Sequence, residues 1–200
     1  MNILHIDSSI LGDASASRGL TRDLVDTLVR TNPGADVTYR DLGASVAGHL
    51  DGELLAARST PPGLRSAEAR IRAEEADAVT REFLDADLIV LGAPMYNFGI
   101  PSQLKTWIDL VAVAGVTFRY TEAGPQGLAG DKRVIIAATA GGQHAGLPSG
   151  GAHIDYLKFL LGFLGVTDIE VVVAEGLSTG AAQRESALAA ARNSVEAIAA

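Results

Sequence analysis

The sequence predicts a doubly wound α/β fold: a five-stranded parallel sheet with helices on both faces. Three observations predict it. Short apolar runs alternate with longer amphipathic ones along the whole chain, the pattern of strands joined by crossover helices. Two of the runs, "DLIVLGAP" and "RVIIAATA", carry almost no polar residue, as strands covered on both faces do. The chain has 200 residues, 48% of them hydrophobic, which suits one domain spanning 1–200 with a substantial core.

Each element has its own signal. "NILHID" at 2–7 is the first strand. Leu20, Leu24, Leu28 and Val29 then share one side of a helix that Pro33 and Gly34 close. "DVTYRDL" is a second, more amphipathic strand, as a sheet edge requires. A polar loop from about Gly43 to Gly63 leads to a charged surface helix, "LRSAEARIRAEEADAVTREFLDA", with Ile71, Val79 and Phe83 expected inward. "DLIVLGAP" is the third strand. Ile100, Leu104, Ile108 and Val111 stripe the next helix, and Pro101 suits its first turn. "RVIIAATA" is the fourth strand, Ile154 to Leu164 a helix, and "IEVVVAEG" the fifth strand. Leu188, Ala191, Val195 and Ile198 form the inner face of the last helix. Right-handed crossovers then make the sheet parallel.

Composition removes several function classes. With no cysteine there is no disulfide framework, thiolate zinc site or catalytic thiol. A formal net charge of -8 argues against affinity for nucleic acid built on phosphate neutralisation. No run approaches the roughly 18 apolar residues of a membrane span, and the amino terminus lacks a targeting pattern, so a soluble, cytoplasmic protein is expected. His5 sits in a strand, His49 and His153 are isolated, and no metal site is indicated. No G-x-S-x-G elbow supports serine hydrolysis.

In such sheets ligands bind beyond the carboxyl ends of the strands, where the winding reverses. Three turns there are candidates. The first, "SSILGDASAS", sets the hydroxyls of Ser9, Ser15 and Ser17 around a helix start, whose free N–H groups and dipole favour an anion. Hydroxyls in a fan suit the free oxygens of a terminal phosphate, and so a mononucleotide, better than a bridging pyrophosphate. Arg18 is a candidate positive charge; the opposing reading makes Ser15 or Ser17 a helix cap and nothing more. The second turn, "APMYNFGIP", puts Met95, Tyr96, Asn97 and Phe98 at a strand tip, with Asn97 suited to the edge of a heterocycle. Its bland alternative buries Tyr96 and Phe98 under the loop. The third, "TAGGQHAGLPSGG", brings Gly141 and Gly142, which let backbone approach a flat ring, and His144 just beyond.

With these turns assembled, the chain resembles the FMN-dependent NADH azoreductases, a branch of the flavodoxin-like quinone reductases. The likeness spans nearly all of the sequence and is most specific in "PMYNFGIPSQLKTWIDLVAVAGVTFRYTEAGPQGL", with "SSI" and "SAS", "LDGE", "GGQH" and "AEG" in support. It implies a flavodoxin-like fold and tightly held FMN, with NADH or NADPH as hydride donor and a quinone or azo compound as acceptor in ping-pong turnover. Ser9, Ser15, Ala16 and Ser17 would hold the phosphate end; Met95, Tyr96, Asn97 and Phe98 the ribityl chain and ring; Thr139, Ala140, Gly141 and Gly142 the ring border. Two departures stand out: family members often have Gln or another polar residue where this chain has Ala16, and often a serine-arginine pair where it has Thr139 and Ala140. His144 and Tyr96 are the candidate proton donors. The resemblance also implies a homodimer in which Phe118 and Tyr120 roof the partner's flavin; the alternative is a hairpin packed on its own chain. Residues near Arg58 would meet the nicotinamide donor. Two rivals remain: a flavodoxin-type FMN electron carrier without substrate turnover, and a flavin-free module holding another phosphate compound.

Overall fold

A computed structural model describes residues 1–45 and 48–199; Val46, Ala47 and Ala200, and the portions of the expected loop and of the single-domain reading that fall on them, lie outside the described residues. Five strands, β1 (Asn2–Asp7), β2 (Asp36–Asp41), β3 (Leu88–Pro94), β6 (Arg133–Thr139) and β7 (Asp168–Ala174), form one sheet in the order β2-β1-β3-β6-β7. Every pairing in it is parallel. The chain winds from β1 to β2 on one side, then crosses to β3 on the other. Its direction therefore reverses between β1 and β3, and the turns leaving β1, β3 and β6 emerge side by side.

Period-two alternation sorts the strand residues into two cores. Ile3, Leu88, Val90, Ile135, Ala137 and Val172 face α1 (Ala16–Thr31) and α6 (Ala181–Ala199). Leu4, Ile6, Ile89, Leu91, Val134 and Ile136 face the opposite side, with α3 (Ala67–Asp85), α4 (Ser102–Val111) and α5 (Ala152–Phe163). There Phe83 and Trp107 meet edge to face at 5.7 Å. Both sheet faces are covered, as the apolar runs of β3 and β6 require.

The structure corrects three expectations. Part of the expected 43–63 loop is a helix, α2 (Gly52–Ser59), capped by Asp51, whose carboxylate accepts from Leu54 N–H at 2.8 Å. It buries only Leu54 and Ala57, too little to give a readable stripe. Ile71 is 53% exposed, because α3 takes its phase from Ala73, Ala76, Val79, Thr80 and Phe83. Val29 is likewise on the outside, its place in the α1 stripe taken by Val25. The hairpin that the sequence offers as an alternative is present: β4 (Phe118–Thr121) and β5 (Gly124–Gly127) pair antiparallel outside the main sheet. Ala129 N–H donates to Leu164 O at 2.9 Å, and Gly127 lies so close to the backbone of Gly165 that a side chain there would collide with it.

Candidate functional site

Ser8, at the end of β1, is spent on structure: its hydroxyl donates to Gly92 O at 2.6 Å and ties β1 to β3. The next residues open a cradle. Ser15 is the N-cap of α1, its Oγ accepting from Arg18 N–H at 3.3 Å and lying 3.0 Å from Ser17 Oγ. The first intrahelical bond runs from Gly19 N–H to Ser15 O, so the N–H groups of Ala16 and Ser17 are the free donors of the first turn. Ser15 thus caps the helix and still lines the cavity with Ser9, while Ser17, 1% exposed, stands behind with its hydroxyl on Ser15 Oγ and is not part of that lining. Ala16 offers backbone alone. Free helix N–H groups beside hydroxyls are the donor set that suits an anion.

Arg18 is not the cradle's cation. Its guanidinium turns away, to Asp41 (2.8 and 2.5 Å), Tyr39 Oη (3.0 Å) and the carbonyl of Ser9 (2.8 Å). Asp7 lies beneath, accepting from Thr21 Oγ1 at 2.8 Å and Tyr39 Oη at 3.0 Å. Burial pushes the Asp7 carboxyl up, but His5, Thr21 and Tyr39 outweigh that and hold it below the ordinary 3.8. The bonds from Arg18 hold Asp41 below its ordinary value too, against its partial burial. Burial, then the charge of Asp7, pushes the Tyr39 phenol up to about 12. The network fixes the β1 turn from behind. Sequence spacing does not reveal it, because Tyr39 and Asp41 arrive from β2.

The turn after β3 is tight and strained. Tyr96 N–H donates to Gly99 O at 2.9 Å and Gly99 N–H returns to Tyr96 O at 3.0 Å, with Asn97 at φ 50 and Phe98 at φ 67. Two consecutive left-handed residues make a type I′ geometry, which a phenylalanine adopts only at a cost of order 1–3 kcal/mol. Phe98 is 64% exposed, so burial does not repay that cost and the alternative of aromatics tucked beneath the loop fails for it. Tyr96 is half-buried and employed: its hydroxyl lies 3.1 Å from Ser9 Oγ and accepts from Ile10 N–H at 3.3 Å, joining the first two turns.

The third turn continues from Thr139 and Ala140, both buried. Met95 N–H donates to Thr139 O at 2.7 Å, and Ala140 N–H to Ala174 O at 2.9 Å. A Cβ on Gly141 would stand 2.9 Å from Ser178 Oγ, and one on Gly142 3.0 Å from His144 Nε2. His144 is held in place. Its N–H donates to Glu175 Oε2 at 2.9 Å, its Nδ1 lies 3.0 Å from Ser149 Oγ, and Phe98 stands edge-on at 5.9 Å. That leaves Nε2 as the ring nitrogen turned toward Gly142. Behind it His153 is buried with neither ring nitrogen bonded, and burial pulls its pKa down.

Two spaces meet along this edge. A cavity of about 120 Å³ is lined by Ser9, Ser15, Thr139, Ala140, Ser178 and Arg184 among others. An open bay of about 600 Å³, with Ile10, Ile100 and Gln103 on its wall, adjoins it through Met95 and Tyr96. Ser178 and Arg184 are absent from the sequence reading, which takes only the turns after the first, third and fourth strands of the sheet. Position was the available signal, since the fifth strand of a parallel sheet ends at the same edge. Elsewhere, Phe118 folds back onto Phe163 (4.6 Å between ring centres), whereas Tyr120 is 76% exposed. Arg58 is occupied within its own subunit, by Leu110 O (2.9 Å), Thr80 Oγ1 (3.1 Å) and Asp77 (3.2 Å). Among the described residues no acidic and histidine cluster could hold a metal, and no helix is long and apolar enough to cross a membrane.

Comparison with known proteins agrees with this architecture. A family model described as flavodoxin-like fold matches residues 1–199. FMN-dependent NADH:quinone oxidoreductase 2 of Pseudomonas aeruginosa is 58% identical over 195 residues, covering 98% of this chain and 96% of that protein. FMN-dependent NADH:quinone oxidoreductase 1 of Pseudomonas syringae pv. tomato is 54% identical over 98% of this chain and 97% of its own. An azoreductase crystal structure from Bacillus anthracis superposes with a TM-score of 0.89 at 26% identity, over 100% of this chain and 98% of the other. The chain belongs to this flavodoxin-like family, in the group of the FMN-dependent NADH:quinone oxidoreductases.

Proposed function

We propose that the chain is an FMN-dependent NADH:quinone oxidoreductase that also cleaves aromatic azo bonds. One observation carries the reading: three turns that meet at the sheet's switch point line two adjoining cavities, with Ser9, Ser15 and Ala16 from the first, Met95, Tyr96 and Asn97 from the second and Thr139, Ala140 and Gly141 from the third. The residues fit the cofactor. The Ser9 and Ser15 hydroxyls and the free N–H groups of the first turn of α1 match phosphate oxygens. Without a Cβ, Gly141 lets Ser178 Oγ and Gly142 lets His144 Nε2 close on the backbone of this turn, so the border is thin and carries polar atoms. FMN, when bound, supplies the two-electron chemistry, taking a hydride from a nicotinamide and returning it to an acceptor.

The chain's own contribution is position and proton control. Ser9 and Tyr96 lock the first two turns together, so the Tyr96 hydroxyl serves the cleft's shape. His144 is the better proton donor: Ser149 engages Nδ1, and Nε2 is directed at the Gly142 border, where an acceptor over the ring would lie. Quinone reduction takes one round of turnover and azo cleavage to two amines takes two. NADH is taken as the donor, as in the relatives' names, and kcat/KM with each nicotinamide tests this against NADPH. Tyr120, exposed at the hairpin, is the aromatic available to a second subunit in a homodimer. The electron-carrier alternative has no observation in its favour. The decisive experiment is the visible spectrum before and after anaerobic NADH. Flavin absorbance that bleaches with NADH and returns with a quinone supports the enzyme; colourless protein that takes up no FMN, or flavin inert to NADH, overturns it.

A further inference from the structure

We infer that Arg184, in the first turn of α6, supplies the positive charge that binds the cofactor's phosphate end. This inference rests on the FMN reading above and adds a residue from outside the three turns. Arg184 lines the same cavity as Ser9, Ser15 and Ala16. Asp13, from the same turn, is exposed and takes no part in that lining, and neither does any other acidic side chain. The neighbouring Arg18 is consumed by Asp41, Tyr39 and the Ser9 carbonyl. Arg184 has no such partner. Among the described residues its guanidinium makes one hydrogen bond, from Nη1 to Leu177 O at 3.4 Å, which is long, and no ion pair includes it. A half-buried guanidinium without a carboxylate, set beside a helix start rich in donors, is a charge waiting for an anion.

In a chain of net charge -8 this matters, because a phosphate dianion approaches against the overall charge. Helix donors and hydroxyls orient the group but carry no net charge. The guanidinium supplies it. The arrangement separates two roles: Arg18 shapes the turn from behind, and Arg184 faces the ligand.

The test compares FMN with riboflavin, which lacks the phosphate, in titrations of flavin-free protein followed by flavin fluorescence. Arg184→Gln is expected to weaken FMN about 10- to 100-fold, the scale of a charge-assisted bond, while riboflavin affinity stays as in the unsubstituted chain. Arg184→Lys should recover part of the loss, and the salt dependence of FMN affinity should flatten in Arg184→Gln. Equal loss for both flavins would mean that Arg184 only props the Leu177 loop, and would overturn the inference. So would FMN affinity unchanged in Arg184→Gln. An unsubstituted chain that binds no FMN would sink the functional reading itself, a different result from either.

Discussion

Gly43 lies in an exposed loop and lines no part of the cleft, yet replacing it with alanine should weaken cofactor binding. A methyl group there would sit inside contact distance of the Ser9 carbonyl, 2.9 Å from Arg18 Nη2 and 3.2 Å from Asp41 Oδ1. Ser9 is backbone and cannot swing aside. Either its carbonyl moves, stretching the 2.8 Å bond from Arg18, or the 43–45 loop retreats and loosens the Gly43 and Ala44 N–H bonds to Asp41 at 2.8 and 3.2 Å. Overpacking of this kind costs about 1–3 kcal/mol. For a domain of this size that lowers Tm by roughly 2–12 °C. Where the carbonyl yields, Ser9 Oγ shifts with it and loses register with Tyr96, so FMN affinity should fall about tenfold or more. Gly48→Ala, in the same loop with nothing within 4 Å of its Cβ, is the control. Far-UV circular dichroism melts and FMN titrations would read both variants. A Gly43→Ala protein that melts and binds like Gly48→Ala refutes the claim that this network fixes the turn.

Other outcomes follow from the same contacts. His144→Ala should lower kcat for quinone about 100-fold with FMN affinity unchanged, and stopped-flow reoxidation by quinone measures it; an unchanged rate removes His144 as proton donor. Gly127→Ala should destabilise the protein at least as much as Gly43→Ala, because its Cβ would collide with the Gly165 backbone, and thermal melts check this. Asp7 and Asp41 have folded pKa values below 3.8, so their stabilisation is complete above that value and is lost as pH falls through the folded values; Asp41→Asn should flatten this acid limb in urea melts. His153 is buried neutral, with Glu175 and Asp155 favouring its charged form and burial and His144 opposing it. Its folded pKa lies below 6.5, so stability should decline as pH drops below 6.5, by at most about 1.4 kcal/mol per unit. His153→Leu should abolish that slope.

What the sequence made legible divides along a physical line. Elements with strong periodicity were readable: β1 occupies the expected 2–7, and the other sheet strands differ from expectation only at their ends. Elements held by contact with something distant were not. The hairpin of β4 and β5 was open only as an alternative, because "GPQG" is a strand of low β-propensity fixed by Gly127 against Gly165 and by Ala129 bonded to Leu164. α2 buries only Leu54 and Ala57, so neither a strand nor a helix period emerges.

The same division runs through the site, and it explains the roles of its two arginines. Residues contiguous in one turn, such as Ser15 to Ser17 or Tyr96 to Phe98, announce themselves by type and spacing. Arg18, next to the phosphate serines, looks in sequence like the natural cation for an anion. Its partner Asp41 is 23 residues away along the chain and becomes a neighbour only because β2 pairs with β1 in register, Asp7 opposite Asp41. That pairing turns the guanidinium away from the cradle and converts Arg18 from ligand to brace. Arg184 is placed by the opposite logic: 166 residues further on, it reaches the cavity because β7 ends at the same edge as β1. Spacing along the chain therefore points to Arg18, which the structure shows engaged elsewhere, and the strand order of a parallel sheet points to the proposed Arg184. A single pair of measurements separates them. Losing Arg18 should lower stability and weaken FMN and riboflavin together, whereas losing Arg184 should weaken FMN alone; the reverse assignment would break the argument that sheet topology, not sequence proximity, selects the charge at this site.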